Sequence, residues 1–255
     1  MIKTLKSRLA TIRNRGDYPW LMDNLANVDA QARWLKQRWN LRGYDPSEWL
    51  SIGDDPTKLV DWVFDGNSGA LAPLQSRAEL TEFARLAKSQ SPRTVLEIGT
   101  ARGGTFLVLC RMAADDAKII SIDLPAGLGG GGYPKWKVPI LRSFAKPRQT
   151  IELLRVDSHL DETVERVRQI LGDQLLDLIF IDADHSYAGA LSDFNRYSQL
   201  VRPGGLICLH DVVPNPNSDV IEVDKVWEEV SVGRDAETIR DPANLPGYGI
   251  GVLRV

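Results

Sequence analysis

The stretch VLEIGTARGG, residues 95–104, decides the fold. It opens with a short apolar run of the kind that forms a strand buried on both faces, and a glycine-rich turn follows at once. The next run, GTFLVLCRMAA at 104–114, has the length and apolar content of a buried helix. A strand, a tight turn and a helix in this order let backbone N–H groups and a helix N-terminus approach a ligand closely.

The same alternation of strand and helix continues from about residue 77 to the end of the chain. It predicts an α/β fold, namely a Rossmann-like, doubly wound, mostly parallel seven-stranded sheet whose last strand is antiparallel. A helical extension precedes the sheet. The predicted strands are TVLEIG (94–99), KIISID (118–123), IELLRVD (151–157), LLDLIFID (175–182), LICLHDVV (206–213), AETIR (236–240) and YGIGVLRV (248–255).

Composition and charge exclude several classes of protein. The 255 residues carry 31 Lys+Arg against 34 Asp+Glu, a net charge of -3, which argues against a protein that binds nucleic-acid phosphates. Cys110 and Cys208 lie inside apolar runs, so neither a disulfide framework nor a cysteine zinc site is expected. No run of about 20 apolar residues is present, so no membrane span is predicted and the cytoplasm is the expected compartment.

The front of the chain is rich in tryptophan, with five of the seven before residue 63. Turn chemistry divides it into predicted helices at about 23–40, 46–50 and 57–64. We therefore divide the chain into a Trp-rich helical extension, 1–74, and a cofactor domain, 75–255. The tryptophans either supply packing area or line a substrate pocket or subunit interface, and a homo-oligomer is expected. An amphipathic segment at 2–12 is interpreted as a docking helix in preference to a membrane-binding one.

Acidic residues follow the predicted strands at the edge where α/β proteins bind ligands. The first glycine-rich turn lacks the second glycine of a dinucleotide fingerprint, because Gly99 is followed by Thr100, Ala101 and Arg102. Asp123 lies one βαβ step later, where a carboxylate accepts the hydroxyls of a ribose. The pattern favours an adenosine-type cofactor over a nicotinamide dinucleotide.

Residues 75–255, with VLEIGTARGG and the final YGIGVLRV, resemble class I S-adenosylmethionine-dependent methyltransferases. The stretch FIDADHSYAGALSDFNRYSQLVRPGGLICLHDVV, 180–213, is similar to a bacterial branch of metal-dependent sugar and macrolide O-methyltransferases and cephalosporin-hydroxylase-like proteins, and more distantly to catechol O-methyltransferase. The resemblance implies S-adenosylmethionine as cofactor. The residues that it assigns to cofactor binding are Glu97, Gly99, Thr100, Ala101 and Gly103 around the methionine part, Asp123 at the ribose, Asp157 and Ser158 at the adenine, and Gln75 from the N-terminal side.

The resemblance also implies a divalent metal, Mg or Mn, held by Asp182 and the pair His210 and Asp211. His210 departs from the family, which has a carboxylate or amide there, and an imidazole suits manganese, iron or zinc better than magnesium. Asp184 would be another oxygen ligand. In the alternative without metal, His210 itself is a base or hydrogen-bond donor. Asp182 and His210 are thus also candidate catalytic residues.

His185 lies three residues after Asp182, at the offset of the family's general base. Its ordinary pKa near 6.5 suits a proton acceptor at neutral pH. The alternative is that His185 only caps the helix that begins near Ser186. A long connection, 124–146, carries Tyr133, Lys135, Trp136 and Lys137 and is interpreted as a lid or substrate-binding element, with a disordered insertion as the alternative.

The sequence therefore predicts an O-methyltransferase that acts on a hydroxyl of a small molecule. A sugar moiety of a glycosylated metabolite or polysaccharide is favoured, and a catechol-like phenol is the alternative. Two other classes stay open, an NAD-dependent oxidoreductase and a cofactor-binding partner protein without turnover.

Overall fold

The computed structural model describes residues 31–125, 132–243 and 246–255. Within these residues the strands form one seven-stranded sheet in the order β3-β2-β1-β4-β5-β7-β6. The order reverses between β1 and β4, which creates the crevice where such sheets bind ligands. The strands are β1 Thr94–Ile98, β2 Lys118–Asp123, β3 Thr150–Arg155, β4 Leu176–Ile181, β5 Val201–His210, β6 Asp235–Ile239 and β7 Ile250–Arg254.

Helices cover both faces of the sheet and produce two hydrophobic cores. The strands β1 to β5 pair in parallel, and β7 runs antiparallel to both β5 and β6. The predicted fold class is therefore confirmed, including the reversed last strand. The helices are α1 Ser47–Leu50, α2 Pro56–Asp65, α3 Arg77–Gln90, α4 Gly104–Met112, α5 Val138–Arg142, α6 Asp161–Leu171, α7 Tyr187–Tyr197 and α8 Val223–Ser231.

Strand β5 begins earlier than the sequence predicted. The predicted strand starts at residue 206, whereas the segment 202–205 before it also lies within β5. Its pairing with β4 shifts register between Leu176 and Leu178, so the two glycines are absorbed as an irregularity of the strand. Gly205 has no room for a side chain, because a Cβ there would lie 2.7 Å from the Val201 side chain.

The N-terminal helices share the core on one face of the sheet. Trp49 is fully buried and meets Phe144 edge to face at 6.1 Å, whereas Trp39 in the helical residues 31–40 is 65% exposed. At Gly104 a Cβ would lie 2.3 Å from the Leu71 carbonyl oxygen, so the extension approaches α4 at backbone distance. The division at residue 74 stays a prediction, and Trp20 and the predicted helix at 2–12 lie outside the described residues.

The sequence predicts neither a membrane span nor a structural role of the cysteines in disulfides or zinc binding. Within residues 31–125, 132–243 and 246–255, every helix is too short or too polar to traverse a bilayer. Cys110 and Cys208 are buried free thiols.

Candidate active site

The glycine-rich turn, residues 99–103, connects β1 to α4 and requires its glycines. Gly99 has φ +96°, and a Cβ there would lie 2.0 Å from the Asp182 carbonyl oxygen. Gly103 has φ +92° and immediately precedes α4. Ala101 also takes the left-handed region, at φ +40°, which is unfavourable for a residue with a Cβ. The turn thus touches the end of β4 through backbone alone.

A chain of buried hydroxyls supports this turn from below. The Thr100 hydroxyl donates to Glu97 Oε2 at 2.6 Å and lies 2.6 Å from Ser121 Oγ. Burial raises the pKa of Glu97 well above its usual range, because Thr100 offsets only part of the lost hydration. Glu97 Oε1 is buried and without a hydrogen-bond partner among the described residues. A free polar atom at this depth is unusual and suits a ligand group.

Asp123 at the end of β2 hydrogen-bonds to the glycine-rich turn. Its Oδ2 accepts the Ala101 N–H at 2.6 Å, and its Oδ1 accepts the Leu124 N–H at 2.8 Å. Burial raises the pKa of Asp123 to about 6, and these backbone hydrogen bonds oppose the rise. Each carboxylate oxygen keeps a further lone pair, so the group still accepts a hydroxyl.

The predicted adenine residues follow β3. Asp157 is 47% exposed, and its Oδ1 accepts the His159 N–H at 2.9 Å. Ser158 is buried, and its carbonyl oxygen accepts the Tyr197 hydroxyl at 2.7 Å. The structure therefore places one residue at the surface and the other against α7, both on the carboxyl side of the sheet.

Four residues at the ends of β4 and β5 form a group that we call the acid–histidine cluster, namely Asp182, His185, His210 and Asp211. His185 Nε2 lies 3.4 Å from Asp182 Oδ1 and 3.5 Å from Asp211 Oδ2. His210 Nδ1 lies 3.3 Å from Asp182 Oδ1 and 3.0 Å from Asp211 Oδ1. Asp211 has φ +62°, a strained backbone of the kind that concentrates at functional sites.

The cluster is polarised by its opposite charges. Burial raises the pKa of Asp182. The interactions with His210 and His185 lower it by more, so the pKa of Asp182 lies below its usual range. The hydrogen bond to Asp182 raises the pKa of His185, and burial only partly opposes this. Burial also opposes the charged form of His210, but the surrounding carboxylates raise its pKa well above the usual value.

Gln75 and Glu79 reach the cluster from the start of α3. The Gln75 amide donates to Asp182 Oδ2 at 2.9 Å, and its oxygen accepts the Thr105 hydroxyl at 3.3 Å. Gln75 thus lies between Asp182 and the first turn of α4. Glu79 is fully buried, and its Oε1 lies 3.1 Å from His210 Nε2.

Glu79 was missed by sequence reasoning. The spacing of Ser76 and Glu79 is a visible capping-box signal, and the structure confirms that box. Nothing in the spacing shows that the same carboxylate also accepts the Gly249 N–H at 2.6 Å and faces His210. A carboxylate on the far nitrogen of an imidazole fixes the orientation of the ring.

Three members of the cluster offer a set of metal-ligand atoms. Asp182, His185 and Asp211 each contribute one atom within 4.8 Å of the others. Asp184, which the sequence offered as a further oxygen ligand, instead accepts the Ser186 N–H at 2.9 Å in the turn before α7. Ser186 is the N-cap of α7, because its hydroxyl accepts the Gly189 N–H. His185 is therefore not the helix cap.

The connection after β2 places its four named side chains differently. Tyr133 is fully buried and Lys137 is 1% exposed, whereas Lys135 is exposed and Trp136 is half-buried. Lys137 Nζ donates to the Ala101 carbonyl oxygen at 2.8 Å. The glycines at 129–131 lie outside the described residues.

Comparisons with known proteins concern the family and the fold. Residues 96–212 match the family described as methyltransferase domain, and a comparison with curated proteins finds no match. The solved structures of similar fold include the O-methyltransferase TomG from Streptomyces achromogenes, in complex with SAM, at 18% identity and TM-score 0.52. The match covers 79% of this chain and 89% of TomG.

Two further structures show the same fold. An O-methyltransferase from Bacillus cereus in complex with SAH matches at 18% identity and TM-score 0.52, covering 78% of this chain and 91% of that one. Cofactor-bound Rv0187 from MTB matches at 20% identity and TM-score 0.52, covering 84% of this chain and 92% of that one. The region matched by the family spans both the glycine-rich turn and the acid–histidine cluster.

Proposed function

We propose that this chain, a class I S-adenosylmethionine-dependent methyltransferase, transfers the methyl group to a hydroxyl oxygen of a small molecule. One observation carries the proposal. The glycine-rich turn touches the end of β4 at backbone distance, so the acid–histidine cluster adjoins the predicted cofactor site. Methyl transfer to a hydroxyl requires a methyl donor and a group that takes a proton side by side.

The residues at the turn fit S-adenosylmethionine. Glu97 Oε1 is a buried acceptor beneath the turn that has no hydrogen-bond partner among the described residues, and Gly99 lets the turn pass close to the Asp182 backbone. We assign Gly99, Thr100, Ala101 and Gly103 to the methionine part and Asp123 to the ribose. Asp157 and Ser158 would hold the adenine, and Gln75 would approach from the N-terminal side. When bound, this cofactor supplies an electrophilic methyl group on a sulfonium.

The acid–histidine cluster fits a divalent cation. Two carboxylates, Asp182 and Asp211, offer the oxygen ligands, and His210 Nδ1 faces both of them from the buried side. The imidazole favours manganese over magnesium. A bound cation would lower the pKa of an acceptor hydroxyl. Asp182 and Asp211 orient the acceptor, and Gln75 holds Asp182 in place from behind.

His185 takes the proton from the acceptor in this proposal. It is the most exposed member of the cluster, at 40%, and its Nε2 points at both carboxylates. The carboxylates stabilise the imidazolium that forms. The same Nε2 belongs to the three-atom ligand set, so His185 has a competing role as a metal ligand. Manganese affinity separates the two, because His185→Gln weakens metal binding only if His185 is a ligand.

The acceptor is proposed from the resemblance of residues 180–213 to sugar and macrolide O-methyltransferases. A sugar hydroxyl of a glycosylated natural product or polysaccharide is favoured over a catechol-like phenol. We propose a homo-oligomer in which the exposed Trp39 and Leu35 meet a partner.

The first experiment measures cofactor choice and metal dependence on the full chain. We expect S-adenosylhomocysteine, and not NAD, to raise the melting temperature. We also expect methyl transfer from labelled S-adenosylmethionine to a panel of glycosides and catechols, lost with EDTA and restored by Mn. A shift with NAD alone would refute the methyltransferase site. Full activity after thorough chelation would remove the cation from the mechanism.

A further inference from the structure

We infer that Lys137 is a positioning residue for cofactor binding, which holds the glycine-rich turn through the Ala101 carbonyl oxygen. The inference rests on the cofactor placement proposed above. Lys137 lies in the short turn at Lys135–Lys137, just before α5, and its side chain is 1% exposed. Lysine is almost never fully buried unless its ammonium has a specific partner.

The partner is the one residue of the turn with an unfavourable backbone and a Cβ. Ala101 has φ +40°, and the structure holds it from both sides. Its N–H donates to Asp123 Oδ2 at 2.6 Å, and its carbonyl oxygen accepts from Lys137 Nζ at 2.8 Å. A strained conformation persists only where its surroundings determine it this fully.

Both holding groups come from one connection of the chain. Asp123 is the last residue of β2, and Lys137 lies at the far end of the segment that leaves β2. Tyr133 from the same segment is fully buried, with its hydroxyl 3.5 Å from Ser121 Oγ. That hydroxyl lies beside the chain of Ser121, Thr100 and Glu97 under the turn.

The consequence for function follows from this geometry. A turn held in its bound conformation before the cofactor arrives loses less conformational freedom on binding. Without the Lys137 amine, Ala101 is free to leave the left-handed region, and the binding-competent fraction of the protein falls. Lys137 therefore acts on cofactor affinity and not on proton transfer.

The test is a double-mutant cycle in which calorimetry measures the affinity of each variant for S-adenosylhomocysteine. Lys137→Met removes the amine and keeps the chain length. We expect binding to weaken roughly ten-fold, the loss typical of a removed buried hydrogen bond, with kcat at saturating cofactor little changed. Lys135→Met, on the exposed neighbour in the same turn, is the matched control and should bind as the wild type does.

Ala101→Gly is the second variant of the cycle, because glycine adopts φ +40° without strain. In the Ala101→Gly background, Lys137→Met should weaken binding much less than in the wild type. A merely structural role of Lys137 would give additive effects. Additivity, or Lys137→Met within about twofold of wild type, would overturn the inference.

Other outcomes are equally informative. If Lys137→Met does not fold, Lys137→Gln replaces it in the cycle, and unfolding of both variants would show that Lys137 serves the fold and would overturn the positioning role. Failure of the wild type to bind S-adenosylhomocysteine would overturn the cofactor placement itself. The two failures are therefore distinguishable.

Discussion

The glycine-rich turn and the acid–histidine cluster lie side by side but are built differently. The turn is held at its backbone, where the Asp123 carboxylate binds the Ala101 N–H and the Lys137 amine binds the Ala101 carbonyl oxygen. The cluster is held by charges, with two imidazoles between Asp182 and Asp211. The difference supports the proposed division of labour, in which the turn binds the cofactor and the cluster accepts a proton or a cation.

The largest expected effect separates these two tasks at Asp182. Asp182→Asn removes the charge that both imidazoles face, and we expect turnover to fall roughly 1000-fold, since charge stabilisation at such sites contributes several kcal/mol to the barrier. The affinity for S-adenosylhomocysteine should stay, because the contact of β4 with the turn uses backbone, including Asp182 N–H to the Ile98 carbonyl at 2.8 Å. Steady-state kinetics and calorimetry measure the two quantities.

Asp184→Asn is the matched control for that variant. Its carboxylate accepts the Ser186 N–H and lies two residues from Asp182. Turnover of the control should stay close to wild type. Equal losses in both variants would mean that the charge of the loop matters, and not the position of Asp182.

His185→Ala tests the proton acceptor within the cluster. We expect turnover to fall roughly 100-fold or more, the usual contribution of a positioned base, at saturating cofactor. His159→Ala, at a half-buried histidine beside Asp157, is the control and should retain turnover under the same conditions. Wild-type turnover of His185→Ala would show that His185 is not the base.

Glu79→Gln tests whether the cluster depends on support from outside it. The amide keeps the size but loses the charge that His210 Nε2, Ser76 N–H and Gly249 N–H all share. We expect manganese affinity and turnover to fall roughly 10- to 100-fold, as for other groups that orient a ligand. Glu82→Gln, exposed on the same helix, is the control. Manganese affinity equal to wild type would make Glu79 a cap of α3 alone.

The turn was easier to predict from sequence than the support of the cluster. Gly99, Gly103 and Asp123 follow from a local pattern, because strand, turn and helix are consecutive in the chain. Glu79 and His210 are 131 residues apart, and only the packing of α3 against the ends of β5 and β7 brings them together. Lys137 was assigned to a substrate-binding element because it flanks aromatic residues in a long connection, whereas the structure buries it at the turn.

A further effect concerns stability instead of rate, and it depends on the burial of Lys137 beside the turn. Burial lowers the pKa of Lys137 from 10.5 to about 7, and Asp123 offsets only part of this. Below pH 7 the amine is charged in both states, so burial opposes folding in full. Between about pH 7 and pH 10.5 the unfolded chain binds a proton at Lys137 that the folded chain does not, so the contribution of Lys137 to the stability of the wild type should rise with pH there.

Lys137→Met lacks this rise, and the difference in unfolding free energy between the two proteins isolates it. Urea unfolding near pH 7, 8.5 and 10 should show the wild type gaining on the variant, whereas Lys135→Met should follow the wild type. Asp123, with a pKa of about 6, titrates below this window. The buried Tyr133 and the two buried cysteines have raised pKa values, so they lower stability above about pH 9, but they do so equally in the wild type and the variants and cancel in the difference. A constant difference across the window would mean that water reaches the Lys137 amine. The turn would then be as open as the acid–histidine cluster, and the contrast between a dry binding region and a charged catalytic one would fail.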